Sequence, residues 1–231
     1  MTDFREFAKI PRLSRECTVS EKLDGTNALI YITEDGQFLT GSRSRWITLE
    51  DDNYGFSQWA HDHEEELREL EPGHHYGEWW GRGIQRNYGL DERRFSLFDT
   101  SRWAQRHRFS DDVTLPDGMM WAPSCCHVVP VLYLGVFNTH SMEGQLSVLN
   151  HLGSTAAPGF MKPEGIVVFH HAAGHYFKKT CEHDDEPKNA HPKKERRPQE
   201  LVQRDPQIMW TGGRRHGAIA GYAGPERRKP R

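Results

Sequence analysis

Glu21-Lys22-Leu23-Asp24-Gly25-Thr26-Asn27 is the stretch from which the rest of the chain can be laid out. Cys17 to Ser20 predicts a strand before it, Gly25 a turn within it, and Ala28 to Thr33 a second strand after it. A lysine at such a joint can be held at the floor of a cleft instead of waving in solvent. An ordinary lysine, with a pKa of about 10.4, is almost wholly protonated near neutral pH and is a poor nucleophile. Burial or neighbouring cations can change that. Gly25 lets another stretch of backbone approach closely, and Asn27 adds a donor and an acceptor beside the lysine. Alone, the heptapeptide fits a hairpin turn with a surface lysine equally well.

Further along, Gln37 to Arg43 predicts a strand entered through a turn at Gly36. Extended chain over Arg43-Ser44-Arg45 would put two guanidiniums on one face, an arrangement suited to an anion between them or to a solvated edge. His75 to Gly81 is a short apolar strand carrying one acid, Glu78. A carboxylate there is costly to bury without a partner, so it should face water or a ligand, with Gly77 and Gly81 leaving room. The donor-rich run Gly81 to Tyr88 suits a loop near a ligand or a plain surface loop. Arg94 to Asp99 is another strand, in which Phe98 serves as core or as a stacking face for a planar ring. Lys162 to Phe169 is a turn feeding a strong strand with Glu164 at its mouth, where a carboxylate can hold a divalent cation. Tyr176 to Thr180 returns as its partner and brings Lys178 and Lys179 to the same region.

Two segments carry helical periodicity. Tyr54 to Leu70 sets Phe56, Trp59, Ala60, Leu67 and Leu70 on one stripe, pairs Glu64 with Arg68, and stops at Pro72-Gly73. Ser141 to Leu152 points Met142, Leu146, Leu149 and Leu152 inward, with Thr139 or Ser141 as its cap and Gly153 as its stop. Val128 to Val136 predicts an extended edge segment and a strand, because Pro130 argues against a central position. His61 and His63, His74-His75 and His170-His171 offer no convincing metal-ligand spacing.

The chain has 231 residues and is 35% hydrophobic, with 7 Trp, 7 Tyr and 11 Phe supplying much of the buryable area. That length fits one domain, or one domain with a tail. No apolar run approaches the roughly 20 residues that cross a bilayer, and the first residues lack the apolar segment of a secretory signal. The expectation is a soluble cytoplasmic protein without a membrane partner, in the host cytoplasm if phage-encoded. Its four cysteines contain no Cys-x-x-Cys pair and fit reduced thiols. With a formal charge of −3, any attraction to nucleic acid must be local, through clusters such as Arg82 and Arg86 or Arg93 and Arg94.

The order of these pieces is specific. Lys22-x-Asp24-Gly25-x-Asn27, Ser42-Arg43-x-Arg45, Gly77-Glu78-x-x-Gly81, Phe98-Asp99, Glu164-Gly165-Ile166-Val167 and the lysine strand Lys178-Lys179-Thr180 resemble motifs I, Ia, III, IIIa, IV and V of the covalent nucleotidyltransferases, in that order. The resemblance spans Glu21 to Thr180. That superfamily holds ATP-dependent DNA ligases, RNA ligases and messenger-RNA capping guanylyltransferases. The first motif, with Gly83-Ile84-Gln85 after the third, looks most like the phage RNA ligase 2 branch, whose members work through an adenylated lysine.

The resemblance implies an α+β nucleotidyltransferase (ATP-grasp-like) fold of twisted, mainly antiparallel sheets flanked by helices, with ATP in the cleft between them. It also implies roles. Lys22 would attack the α-phosphate of ATP and hold AMP as pyrophosphate leaves. Glu21, Asp24, Gly25 and Asn27 would line the nucleotide pocket. Arg43 would contact the ribose and phosphate side of the nucleotide or the nucleic-acid end, and Glu78 would accept from ribose hydroxyls. Phe98 would stack on adenine with Asp99 supporting the strand, and Glu164 would help bind the catalytic Mg2+ or Mn2+. Lys178, and less clearly Lys179, would contact phosphate. AMP would pass to the 5′-phosphate end of an RNA, and a 3′-hydroxyl would displace it to seal the strand, DNA-containing ends being a variant of the same substrate.

Two departures stand out. Motif V of the family presents Lys-x-Lys, whereas Thr180 occupies the second lysine position here, leaving Lys188 to reach back if a second cation is needed. Residues 1–181 form the expected adenylyltransferase domain, and residues 182–231 a polar, Pro-, Arg- and Lys-rich flexible tail. That tail is too short and polar for the separate domain that many ligases use to grip substrate, so Arg196-Arg197, Arg214-Arg215 and Arg227-Arg228-Lys229, or a protein partner, would have to supply that grip. The remaining readings are a DNA ligase or capping-type enzyme, and a nucleotide- or nucleic-acid-end-binding protein without turnover.

Overall fold

In a computed structural model of the protein, the structure describes residues 3–106, 112–182 and 184. Residues 1–188 make up one compact unit. The expected tail lies outside the described residues apart from Glu182 and Asp184, as do Lys188 and the paired basic residues beyond it. In chain order the elements are β1 (Glu16–Lys22), β2 (Thr26–Ile32), β3 (Phe38–Ser42), β4 (Trp46–Ile47), α1 (Phe56–Asp62), α2 (Glu64–Leu67), β5 (Gly73–Gly81) and β6 (Arg93–Leu97). There follow β7 (Trp103–Ala104), β8 (Met120–Trp121), β9 (His127–Val128), β10 (Val131–Val136), α3 (Thr139–Leu152), β11 (Gly165–His170) and β12 (His175–Thr180).

The strands form two main sheets, in the orders β10-β1-β11-β12 and β4-β3-β2-β5-β6-β9, and a small pair β7-β8. Pairing in the main sheets is antiparallel except for β6 with β9. The expected α+β architecture of mainly antiparallel sheets is thus present, with Pro130 just outside the edge strand β10. The opening heptapeptide is the joint between the sheets. Lys22 ends β1 in one, and Thr26 begins β2 in the other.

Each sheet buries one face. Cys17 and Val19 of β1, with Ile166 and Val168 of β11, pack against Met142, Leu146 and Leu149 of α3. Ala28, Ile30 and Ile32 of β2 pack with Phe56, Leu67, Trp79 and Phe95 in a second core under α1 and α2. Each of these large side chains contributes about 1.5–3 kcal/mol by leaving water. The opposite faces of β1 and β2 are left to line the space between the sheets.

The helices differ from the expectation in detail. The stripe of Phe56, Ala60, Leu67 and Leu70 is fully buried and Arg68 reaches Glu64 at 2.6 Å, but the helix is not continuous. Asp52 accepts from the backbone of Ser57 and Gln58, so the helix starts at Phe56. At His63, whose Nδ1 lies 2.8 Å from the Trp59 carbonyl, the chain turns between α1 and α2. For α3 the cap is Asn138, whose side chain accepts from the Ser141 N–H at 2.7 Å, and neither Thr139 nor Ser141 plays that part. Leu152 is 69% exposed where an inward position was expected. Ten residues beyond Met142, it is rotated about 80° off that residue's direction at 3.6 residues per turn.

Candidate active site

A cleft of about 720 Å³ opens between the two sheets. Thr18, Ser20 and Lys22 line it from β1, Asn27 and Ala28 from β2, and Glu78 from β5. Alternation along β1 explains the choice. Cys17 and Val19 are buried against α3, so Thr18, Ser20 and Lys22 face the cleft, Lys22 with its side chain only 18% exposed. Its Nζ donates to Glu164 Oε2 at 2.6 Å. Glu164 immediately precedes β11 and comes to Lys22 because Lys22 and Gly165 are opposed in the β1–β11 ladder. Burial pushes the Glu164 carboxyl up from the usual carboxylate range, with Lys22 opposing that rise.

Glu78 organises the turn beside this pair. Its Oε1 accepts from the Gly25 N–H at 3.0 Å and its Oε2 from Asn27 Nδ2 at 3.3 Å, as the opposition of Asn27 and Glu78 in the β2–β5 ladder requires. Burial raises its pKa from 4.5 to about 7, against the lowering effects of Lys22 and of the Gly25 N–H. The acid that was expected to face water or a ligand is therefore buried and faces the cleft. Gly25 is obligatory in this packing, since a Cβ there would lie 2.4 Å from the Trp79 carbonyl oxygen and 2.7 Å from Trp80 Cβ.

The other candidate residues divide. Asp24 is near the cleft without lining it. Its carboxylate accepts from Arg86 Nε at 3.0 Å and its backbone N–H donates to the Tyr88 hydroxyl at 2.8 Å, so it ties the turn to the loop 82–92. Glu21 borders the cleft, but its Oε2 accepts from the backbone N–H groups of Thr155 and Ala156. Its Oε1 is buried without a hydrogen-bond partner among the described residues, and burial raises its pKa against the lowering effects of the Ser154 side chain and those amides. Phe98 is half-buried in the cleft wall, packed with the cluster of Leu23, Trp80 and Val129. Asp99 accepts from Ser101 and Arg102, closing the turn after β6.

The two arginines do not act as a pair. Residues 43–45 form a bend, which sends Arg45 to Asp51 at 2.5 and 3.2 Å and leaves Arg43 on the cleft wall. On β12, Lys178 is opposed to Val167, a cleft-lining residue, and Lys179 to the core residue Ile166. Directly opposed residues share a face, so Lys178 is on the cleft side of the sheet and Lys179 on the other. Thr180 shares the Lys178 face, and its hydroxyl lies 3.3 Å from Asp184. No group of three His, Cys, Asp or Glu placed to hold a metal occurs among the described residues, and no described helix is long and apolar enough to cross a membrane.

Sequence reasoning missed the depth of the loop 82–92. Ile84 and Tyr88 are buried, Asn87 accepts from the Gly83 N–H at 2.7 Å, and Gln85, Asn87 and Tyr88 all have positive φ. Such strain at three non-glycine residues persists only where surrounding contacts enforce it. The signal was present in Gly81 to Tyr88 as glycines interleaved with donors, but nothing in it marks Tyr88 as the partner of Asp24.

Fold and site together define an α+β protein of antiparallel sheets built around a lysine–carboxylate pair in a cleft. The family model described as RNA ligase matches residues 15–180, most of the chain, and this protein belongs to the RNA ligase family. The solved structures it resembles include Naegleria gruberi RNA ligase as a mutant with AMP and Mn, at 20% identity and a TM-score of 0.49 over 72% of this chain and 49% of that one. The same protein with PPi gives 22% identity and a TM-score of 0.46 over 72% and 50%. This chain spans about half the length of those structures. No curated protein matches it.

Proposed function

We propose that this protein is an ATP-dependent RNA ligase of the phage type, built on the nucleotidyltransferase fold and working through a lysyl-AMP on Lys22. The observation that carries the reading is the Lys22 Nζ, held 2.6 Å from Glu164 in a cleft of about 720 Å³. In the first step Lys22, having lost a proton, forms a P–N bond with the α-phosphorus of ATP while the P–O bond to pyrophosphate breaks. The nucleotide that enters has to take Glu164 away from the ammonium, which then gives its proton to water and becomes the free amine.

A divalent ion fits this exchange. The described residues build no three-ligand cage, and a Mg2+ or Mn2+ arriving with the triphosphate needs only one or two protein carboxylates, which Glu164 supplies. When bound, that ion offsets phosphate charge and stabilises the leaving pyrophosphate. Arg43 and Lys178 contribute positive charge from opposite walls. Phe98 stacks on adenine, Glu78 accepts from the ribose hydroxyls, and Asn27 holds Glu78 in place. The unspent Glu21 Oε1 offers an acceptor to an amino group such as adenine carries. Gly25 and Asp24 shape the turn, and Lys179 takes no part. Residues 1–181 carry this chemistry.

The adenylate then passes to a 5′-phosphate and is displaced by a 3′-hydroxyl, so that one nucleophile divides a difficult condensation into easier steps. The test is a single turnover by pre-adenylated protein on 5′-phosphorylated RNA bearing a 3′-hydroxyl, followed on a gel beside a DNA strand of the same sequence. Sealed RNA with release of AMP is expected. An adenylated protein that transfers nothing to RNA, or only to DNA, would overturn the RNA ligase assignment.

A further inference from the structure

One face of the six-stranded sheet carries a row of rings that the lysine chemistry does not use. Trp46 of β4, Tyr31 of β2, and His74 and Tyr76 of β5 follow one another at centroid separations of 6.0, 4.0 and 6.1 Å, with interplanar angles of 29°, 23° and 16°. The register builds it. Tyr31 and His74 are directly opposed, and Trp46 is opposed to Gly41. The absent side chain at Gly41 leaves the indole room to lie over the sheet, since a Cβ there would come within 3.4 Å of it. Trp46 is 53% and Tyr76 55% exposed. Cross-strand aromatic pairs stabilise any sheet, but here the two ends of the stacked row, Trp46 and Tyr76, stay more than half exposed.

The row runs into the candidate active site. His74 and Tyr76 line the cleft that holds Lys22 and Glu78. Arg43, on the same wall, makes no hydrogen bond or ion pair with the other described residues. On the facing sheet Phe169 and Tyr176, 4.6 Å apart, line the opposite rim. A stacked aromatic row with exposed end rings beside a cation suits unpaired bases, which continue such a stack on an aromatic face while their phosphates meet arginine. A fully paired duplex keeps its bases stacked on one another and has little use for such a row.

We propose that the Trp46–Tyr31–His74–Tyr76 row is the binding platform for single-stranded RNA at the end being joined, so that the substrate presents unpaired nucleotides beside Lys22. This deepens the ligase reading and rests on it for the identity of the end. It also places the grip on substrate within the described unit.

The test compares wild type, Trp46→Ala and Trp46→Phe for binding to two probes: a 5′-phosphorylated single-stranded oligoribonucleotide and a nicked RNA duplex with no unpaired nucleotide. Trp46 lies outside the cleft lining, so transfer of AMP to Lys22 should be unchanged in both variants. Trp46→Ala should weaken single-strand binding by about 5- to 150-fold, the range set by loss of one stacked base. Trp46→Phe should retain most of the affinity, and binding of the nicked duplex should not move. Equal weakening on both probes, unchanged single-strand binding by Trp46→Ala, or wild type that binds no single strand would overturn the platform. Because AMP transfer is read separately, a protein that binds single strands through Trp46 but never takes AMP would count against the ligase reading and leave the platform standing.

Discussion

Glu78→Gln should stabilise the protein above neutral pH while weakening its hold on the ribose. Burial raises the Glu78 carboxyl from 4.5 to about 7, so the folded state disfavours its charge. At about 1.4 kcal/mol per pH unit, the difference is worth about 3 kcal/mol. The folded pKa lies above the unfolded one, so this contribution is fully present below about pH 4.5. It is lost as the pH rises toward 7 and stays lost above that. Glutamine carries no charge to desolvate, and its carbonyl oxygen can still accept from the Gly25 N–H, while Asn27 turns its amide to meet the new NH2. In metal- and nucleotide-free buffer at about pH 8, urea unfolding should therefore show the variant more stable by up to about 3 kcal/mol, roughly 6–12 °C in Tm, with an unchanged m value. Near pH 4 the two proteins should nearly coincide. A wild-type protein whose stability does not fall between pH 5 and pH 8, or a variant less stable at both, would refute the claim that this carboxylate is desolvated in the fold.

Gly25→Ala forces a Cβ against the Trp79 carbonyl; it should destabilise the protein by at least about 1–3 kcal/mol, measured by thermal unfolding, and lower AMP transfer by disturbing Lys22. Arg43→Ala should reduce AMP transfer or end joining at least tenfold, the loss of one charge-assisted contact to phosphate of about 1.5–3 kcal/mol. Arg45→Ala breaks only an exposed pair with Asp51 and should cost less than about 1 kcal/mol of stability with activity intact. Asn138→Ala removes the α3 cap and should cost about 0.5–2 kcal/mol in urea unfolding without changing AMP transfer.

What the sequence made legible follows from how local each signal is. The joint at Lys22 to Thr26 was readable because strand alternation and a glycine turn are local, and register then brings Glu164 and Glu78 to it through pairs such as Lys22 with Gly165 and Asn27 with Glu78. The α3 cap at Asn138, one residue before Thr139 and three before Ser141, is hidden from the sequence because all three are capping residue types and only backbone geometry distinguishes them. Alternation assumes extended chain and so puts Arg43 and Arg45 on one face, whereas the bend at residues 43–45 with Asp51 nearby depends on contacts six residues apart. The ties from Asp24 to Arg86 and Tyr88 join residues more than sixty positions apart, and the amides at Glu21 come from Thr155 and Ala156. No local pattern encodes such partners. The aromatic row has no local signature for the same reason, since Tyr31, Trp46, His74 and Tyr76 become neighbours only through strand pairing.

The most direct test of the account is the intact mass of the purified protein after incubation with ATP and magnesium, beside Lys22→Ala and a GTP sample. An AMP-sized increase with ATP, absent from Lys22→Ala and from GTP, is the predicted result. Folded, nucleotide-binding protein, shown not to be adenylated beforehand, that gains no mass with ATP, or gains the same mass in Lys22→Ala, would contradict the assignment of Lys22 as the nucleophile.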